Sequence, residues 1–250
     1  MSSSQEQFKQ ALAKVGKKPT GTVPQHVTRH YSETLSREVA LWIRGNLEAL
    51  FVDASVLHPE DKVDTIFGQG NRGKSLDVGV LDKRKYLLLD VSIKTFNFKD
   101  RKTGNYRHNY TGRFYELLGE ELDIRRSYPH ATLVAIIFVP EDSVFDSSPS
   151  SFAHGVRQFS KIAKTSPESN EQGFEHVFVA VHNENGKIYF FDATGTPNIQ
   201  GHPPESSCRT LEDIVETLKA TCDSRSALIQ DAPLPRYDAF EYAAPHQTKL

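Results

Sequence analysis

Four side chains in one short stretch can do chemistry together: Asp77, Asp90, Ser92 and Lys94. The last three alternate in Asp90-Val-Ser-Ile-Lys94. Alternate residues of an extended strand project to one face, so these three share a face. Residues 86–95 read as such a strand, and residues 76–81 as its hairpin partner across the charged turn 82–85. A symmetric turn centred between Lys83 and Arg84 places Asp77 directly across from Asp90, one pleat from Ser92. Opposed carboxylates repel, so the pair needs a proton, a cation or a metal. Oxygen ligands suit Mg²⁺ or Mn²⁺. Such an ion can hold a phosphate oxygen and lower the pKa of an attacking water. Lys94 would then orient the water or counter charge in the transition state.

The elements that must position these groups are legible as patterns. Leu35, Val39, Trp42, Ile43, Leu47 and Leu50 recur at three- and four-residue steps, which predicts a helix from about Ser32 to Phe51. Residues 59–74 read as loop with one short strand at 63–67. After the hairpin comes a basic–aromatic segment, 96–108, holding Lys99, Arg101, Lys102, Arg107 and His108. A helix is predicted over 109–127, with Phe114, Leu117, Leu118 and Leu122 on its apolar side and Pro129 beyond its end. A buried strand follows at 131–139, a helix at 150–164, a hairpin at 176–191 with an Asn-Gly turn, and a helix at 210–222. This order predicts one α/β domain around a mixed β-sheet core flanked by helices, spanning 32–230. Residues 1–31, with Phe8, Leu12 and Val15 at helical spacing, are expected to form a loosely attached N-terminal arm, and 231–250 a C-terminal tail.

Helix, Asp-bearing strand, second strand ending in an acid-or-substitute, any residue and Lys, then helix: this arrangement resembles the PD-(D/E)xK nuclease superfamily, best known from type II restriction endonucleases. Asp77 matches the first acid and Ser92-Ile-Lys94 the (D/E)xK element. The likeness covers roughly residues 32–139. It departs in two places: Leu76 stands where the family has Pro, and Ser92 replaces the second acid. A Ser-x-Lys variant exists among the restriction enzymes, with the missing carboxylate supplied from the following helix. Asn109, Arg113, Glu116 and Glu120 share one face of that helix here. Glu116 is the first candidate, then Glu120, then Glu121, with Asp90 competing from the strand. Glu38 matches an auxiliary acid on the helix before the first strand. The resemblance implies a restriction-endonuclease-like fold and Mg²⁺-dependent hydrolysis of double-stranded DNA. Metal would be held by Asp77 with Glu116 or Asp90. Ser92 would be a hydrogen-bonding neighbour, and a homodimer would meet a palindromic site. It also implies phosphate contacts from Lys99, Arg101, Lys102, Arg107 and Arg113. The alternative function is a DNA-binding or scaffolding protein whose activity has decayed.

Composition narrows the classes further. The chain has 250 residues, 30 Lys+Arg against 32 Asp+Glu, and 38% hydrophobic residues, an ordinary globular make-up. A net charge of −2 excludes a blanket electrostatic nucleic-acid binder but permits a local basic cleft. No stretch is apolar enough for a membrane span, and the first residues lack a signal-peptide layout. Cys208 and Cys222 are too few for a disulfide framework and have no zinc-ligand spacing, so a reducing, cytoplasmic setting is expected. The letters Gly68-x-x-x-x-Gly73-Lys74-Ser75 spell a phosphate-loop pattern, but a strand follows where a helix must open, so nucleotide binding there is not expected.

Overall fold

The computed structural model of the protein describes residues 3–21, 23–58, 76–169 and 171–234. The expected strand at 63–67, the phosphate-loop pattern at 68–75 and most of the 231–250 tail lie outside these residues. The described chain folds as a mixed α/β structure: seven strands in one sheet, with helices on both faces.

The helices are α1 (Ser4–Val15), α2 (Gln25–Leu50), α3 (Tyr110–Ser127), α4 (Ser151–Phe159), α5 (Leu211–Ser224) and α6 (Ser226–Asp231). The strands are β1 (Ser55–Leu57), β2 (Val78–Leu81), β3 (Leu87–Thr95), β4 (Thr132–Pro140), β5 (His176–His182), β6 (Ile188–Asp192) and β7 (Cys208–Arg209). They lie side by side in chain order. Pairing is parallel from β3 to β4 and from β4 to β5, and antiparallel elsewhere. All nine residues of β4 are buried, as a central strand covered on both faces requires.

The two parallel connections run through α3 and α4. Crossovers of one hand put both helices on the same face of the sheet. Leu117 and Ile124 of α3 and Phe152, Val156 and Phe159 of α4 pack there with Leu133, Ala135 and Ile137 of β4. The opposite face carries Val39, Trp42 and Ile43 of α2 and Ile214 and Leu218 of α5, against Leu89, Val91 and Ile93 of β3. Asp90, Ser92 and Lys94 therefore point toward α3.

Several boundaries differ from expectation. Helix α2 starts at Gln25, not near Ser32, because Pro24 supplies the extended entry and no breaker follows it. The N-terminal segment is not a loose arm. Phe8 of α1 is fully buried, its ring 4.8 Å from that of Trp42, and Trp42 Nε1 donates to the Ser4 carbonyl at 2.9 Å. Ser4 in turn donates to Glu212 at the start of α5 through both its N–H and its hydroxyl. Phe8→Ala should therefore cost about 3–5 kcal/mol in urea unfolding, as truncating a buried Phe does. A loss under about 1 kcal/mol would mean α1 is not part of the cooperative unit. Helix α3 is also rotated relative to its expected apolar side. Tyr110, Leu117 and Ile124, seven apart, form the buried stripe, and Leu122 is exposed.

The hairpin that positions the acids

The β2–β3 turn decides where Asp77 goes. It is asymmetric. Asp82 donates its N–H to the Tyr86 carbonyl, and its Oδ1 accepts from the N–H groups of Arg84 and Tyr86, both at 2.8 Å. Lys85 takes a left-handed conformation, φ 66°, which closes a three-residue turn. Leu81 then pairs with Leu87, but Val80 pairs with Leu89, so Leu88 is the extra residue of a β-bulge. The bulge shifts the register. Asp90 faces Gly79, not Asp77 as a symmetric turn would have it. Asp77 sits just before β2, and its Oδ2 accepts the N–H of Ile93 at 2.7 Å. The carboxylate is thereby anchored between the two neighbours that matter, Ser92 and Lys94.

Candidate active site

On the α3 face of β3, Asp90, Ser92 and Lys94 are all buried. Ser92 Oγ lies between two acids, 2.7 Å from Glu120 Oε2 and 3.2 Å from Asp90 Oδ2. Lys94 Nζ donates to Glu120 Oε1 at 2.9 Å and lies 3.5 Å from Glu116 Oε1. Arg113 Nη1 closes the outer side on Glu116 Oε2 at 2.5 Å. Burial works against the Lys94 ammonium, but Glu120, Asp77 and Glu116 outweigh it and lift its pKa above the ordinary value. Lys94 is thus a protonated group at neutral pH, a charge stabiliser and donor rather than a base.

The helix carboxylate that meets the strand is Glu120. Glu116, the first candidate from the sequence, is half-exposed and shares its charge between Arg113 and Lys94. The reason is the rotation of α3. The buried stripe through Leu117 and Ile124 carries position 120 inward and leaves 116 at the rim. Glu121 is buried too, but it turns away, accepting the Gly173 N–H at 3.1 Å beside Arg125. Glu38 is not brought to this site. Helix α2 packs on the opposite face of the sheet, and the Glu38 carboxylate pairs with Lys14 at 3.5 Å and Arg37 at 3.1 Å. A Glu120→Ala variant should lower the Lys94 pKa, since its nearest counter-charge is lost while burial remains. The test is lysine titration by NMR on the parent and the variant. An unmoved Lys94 would contradict the pairing.

The basic–aromatic segment leaves β3 just beyond Lys94 and leads into α3, but much of it is tied down. Lys99 pairs with Asp142 at 2.9 Å, and Arg101 Nη2 donates to the Val23 carbonyl at 3.2 Å. Asp100 Oδ1 staples the turn by accepting from the N–H groups of Lys102 and Thr103. Tyr106 is buried, with its hydroxyl on Asp142 at 2.7 Å. The Lys102 side chain is exposed and Arg107 is half-buried. Arg113 is engaged with Glu116.

The donor chemistry of the site suits a hard divalent ion. Asp77, Asp90, Glu116 and Glu120 all offer oxygen donors, and among the described residues Lys94 and Arg113 pair with the two helix acids. The arrangement is not a ready-made cage, since no cluster of three or more His, Cys, Asp or Glu side chains poised to hold a metal occurs among the described residues. Asp77, Asp90 and Glu120 are the side chains that would hold Mg²⁺ or Mn²⁺, with the Ser92 and Lys94 hydrogen bonds giving way. No protein-family model, curated protein or solved structure matches the chain. No helix among the described residues is long and apolar enough to cross a membrane.

Proposed function

We propose that the chain is a metal-dependent endonuclease that hydrolyses phosphodiester bonds of double-stranded DNA, of the type II restriction kind, on a PD-(D/E)xK-like core. One observation carries the reading: Glu120 of α3 meets the Ser92-x-Lys94 element of β3 on the side where Asp77 is anchored. This is the geometry that a Ser-x-Lys variant with a displaced carboxylate needs. Mg²⁺, or Mn²⁺ in its place, would supply Lewis-acid polarisation of the phosphate and a water of lowered pKa. Lys94, kept protonated by its acidic neighbours, stabilises the charge that builds on the phosphate as a water oxygen attacks phosphorus and the P–O bond to the leaving sugar breaks. Ser92 holds the Glu120 and Asp90 carboxylates in register. Arg113, which meets Glu116 at the rim, and the exposed Lys102 and half-buried Arg107 of the preceding segment would serve as backbone-phosphate contacts, so affinity should fall as salt rises. A homodimer would present two such sites to a palindrome, and the two free cysteines suit a cytoplasmic setting.

A second reading, a DNA-binding or scaffolding protein without activity, is favoured by the close Lys94–Glu120 pair, which neutralises the two groups a nuclease must free. Incubation with plasmid and phage DNA in Mg²⁺, beside Asp77→Ala and Lys94→Ala, separates the two. Discrete fragments from the parent alone support restriction. Retention of DNA without cleavage in Mg²⁺ or Mn²⁺ overturns the nuclease reading in favour of the second.

A further inference from the structure

A cavity of about 740 Å³ opens beyond the carboxyl ends of the parallel strands β3, β4 and β5, on the α1–α2 side of the sheet. Chain segments leaving all three strands line it: Asn97 after β3, Asp142 after β4, and His182 at the end of β5 with Glu184 beyond it. Helix α1 and its exit contribute Lys17 and Lys18, and α2 contributes Tyr31.

Two polar atoms at this cavity are buried and have no hydrogen-bond partner among the described residues: Asn97 Oδ1 and His182 Nε2. Asn97 is 4% exposed and His182 8%. The Asn97 amide nitrogen donates to Ser32 Oγ at 3.1 Å and Thr95 Oγ1 at 3.2 Å, which leaves Oδ1 as an acceptor calling for a donor. The imidazole sits between Phe8 and Phe138, and burial pulls its pKa down to about 4, so it is neutral at pH 7. Buried polar atoms without a partner are uncommon and point to a missing counterpart. Tyr31, edge-to-face with Phe98 at 5.7 Å, adds a flat apolar surface. Lys18 stands over Phe98 and Tyr106, and Lys17 is exposed beside it.

We propose that this cavity is a binding site for a nucleoside 5′-monophosphate, free or at the end of a strand. The base edge donates to Asn97 Oδ1 and pairs with neutral His182. Its ring lies on the Tyr31 side, and the phosphate reaches Lys17 and Lys18. Glu184, exposed at the rim, accepts from sugar hydroxyls. A neutral imidazole and an amide oxygen suit an uncharged edge with a donor and an acceptor, and beside Tyr31 a flat nucleobase fits better than the non-planar hydroxyls of a simple sugar phosphate. The site is separate from Lys94 and Glu120, which face the other side of the sheet, so the inference stands whether or not the chain cuts DNA.

The test is calorimetric titration of the full chain in EDTA with AMP, GMP, CMP and UMP, and with ribose 5-phosphate and inorganic phosphate as controls. At least one nucleotide should bind saturably, one per chain, and roughly tenfold or more tighter than either control. Asn97→Leu and Lys18→Met should each weaken it by about tenfold with an unchanged circular dichroism spectrum. If Asn97→Leu fails to fold, Lys18→Met decides. A single-stranded tetranucleotide binding tighter than the mononucleotide assigns the site to a strand end, and equal binding assigns it to the free nucleotide. The proposal is overturned if none of the four nucleotides saturates, if phosphate alone binds equally well, or if the folded variants bind like the parent, which would leave ordered water as the partner of Asn97 and His182.

Discussion

Lys94→Ala should reduce plasmid cleavage by about 10²–10³-fold, the usual cost of losing a preorganised group that meets developing charge. The same substitution should also destabilise the protein. Glu120 would be left buried with its nearest cation gone, which typically costs 3–5 kcal/mol. Two causes of inactivity are then entangled, and a double replacement separates lost stability from lost chemistry at Lys94 and Glu120 taken together. Lys94→Met with Glu120→Leu removes both charges and keeps the volume, and such swaps of a buried pair are often neutral or stabilising. The double variant should therefore recover most of the parent's urea stability and still not cut DNA. If it regains cleavage along with stability, Lys94 is a structural residue and the catalytic role assigned to it is wrong. Lys94→Arg is a stricter probe. It keeps the charge, but a planar guanidinium does not fit the space of a compact ammonium between Glu120 and Glu116, so cleavage should remain low.

The second large effect lies away from the proposed active site. Glu175, just ahead of β5, has a fully buried side chain that meets Lys164 at 2.8 Å, Arg225 at 2.8 Å and Arg125. It also accepts the Leu133 N–H at 2.6 Å. The cations in turn hold backbone carbonyls: Arg125 and Arg225 both donate to Ala131 O. One carboxylate thus joins the start of β4, the start of β5, the segment after α4 and the end of α5. Glu175→Gln should cost about 3–5 kcal/mol, because the buried Lys164 and the partly buried Arg125 and Arg225 lose their shared counter-charge. In a chain of this size that is a fall in Tm of roughly 10 °C. Burial alone would raise the Glu175 pKa, but Arg125, Arg225, Lys164 and the Leu133 N–H hold it below its ordinary 4.5. The folded state therefore binds this proton less readily than the unfolded chain. Its stabilisation is complete above pH 4.5 and drains away as the pH falls through the lower folded-state value. Urea midpoints measured at intervals from pH 7 to pH 3 should show that loss in the parent and a flatter profile in Glu175→Gln. Parallel profiles would show that another group governs acid unfolding.

Local pattern determined much of this protein. The 3.6-residue stripe of α2, the alternation of Asp90, Ser92 and Lys94 and the continuous apolar run of β4 are short-range properties of the chain. They foretold an α/β sheet and the face on which three polar groups gather. The order of elements, with helices between the parallel strands, also carried α3 to that face, since crossovers in one sheet share a hand. Tertiary packing decided the rest. Which residue of α3 meets Lys94 depends on the helix's rotation, and Phe114, Leu118 and Leu122 suggested a different rotation from the Tyr110–Leu117–Ile124 stripe that packs. The place of Asp77 depends on one extra residue, Leu88, whose bulge comes from a left-handed Lys85 that no propensity favours. The Glu175 cluster joins positions as far apart as 125 and 225, and α1 is held by Phe8 and Ser4 against partners far along the chain. Contacts of that kind follow from the closed fold, because burying a charge or a ring is favourable only after its distant partners have arrived.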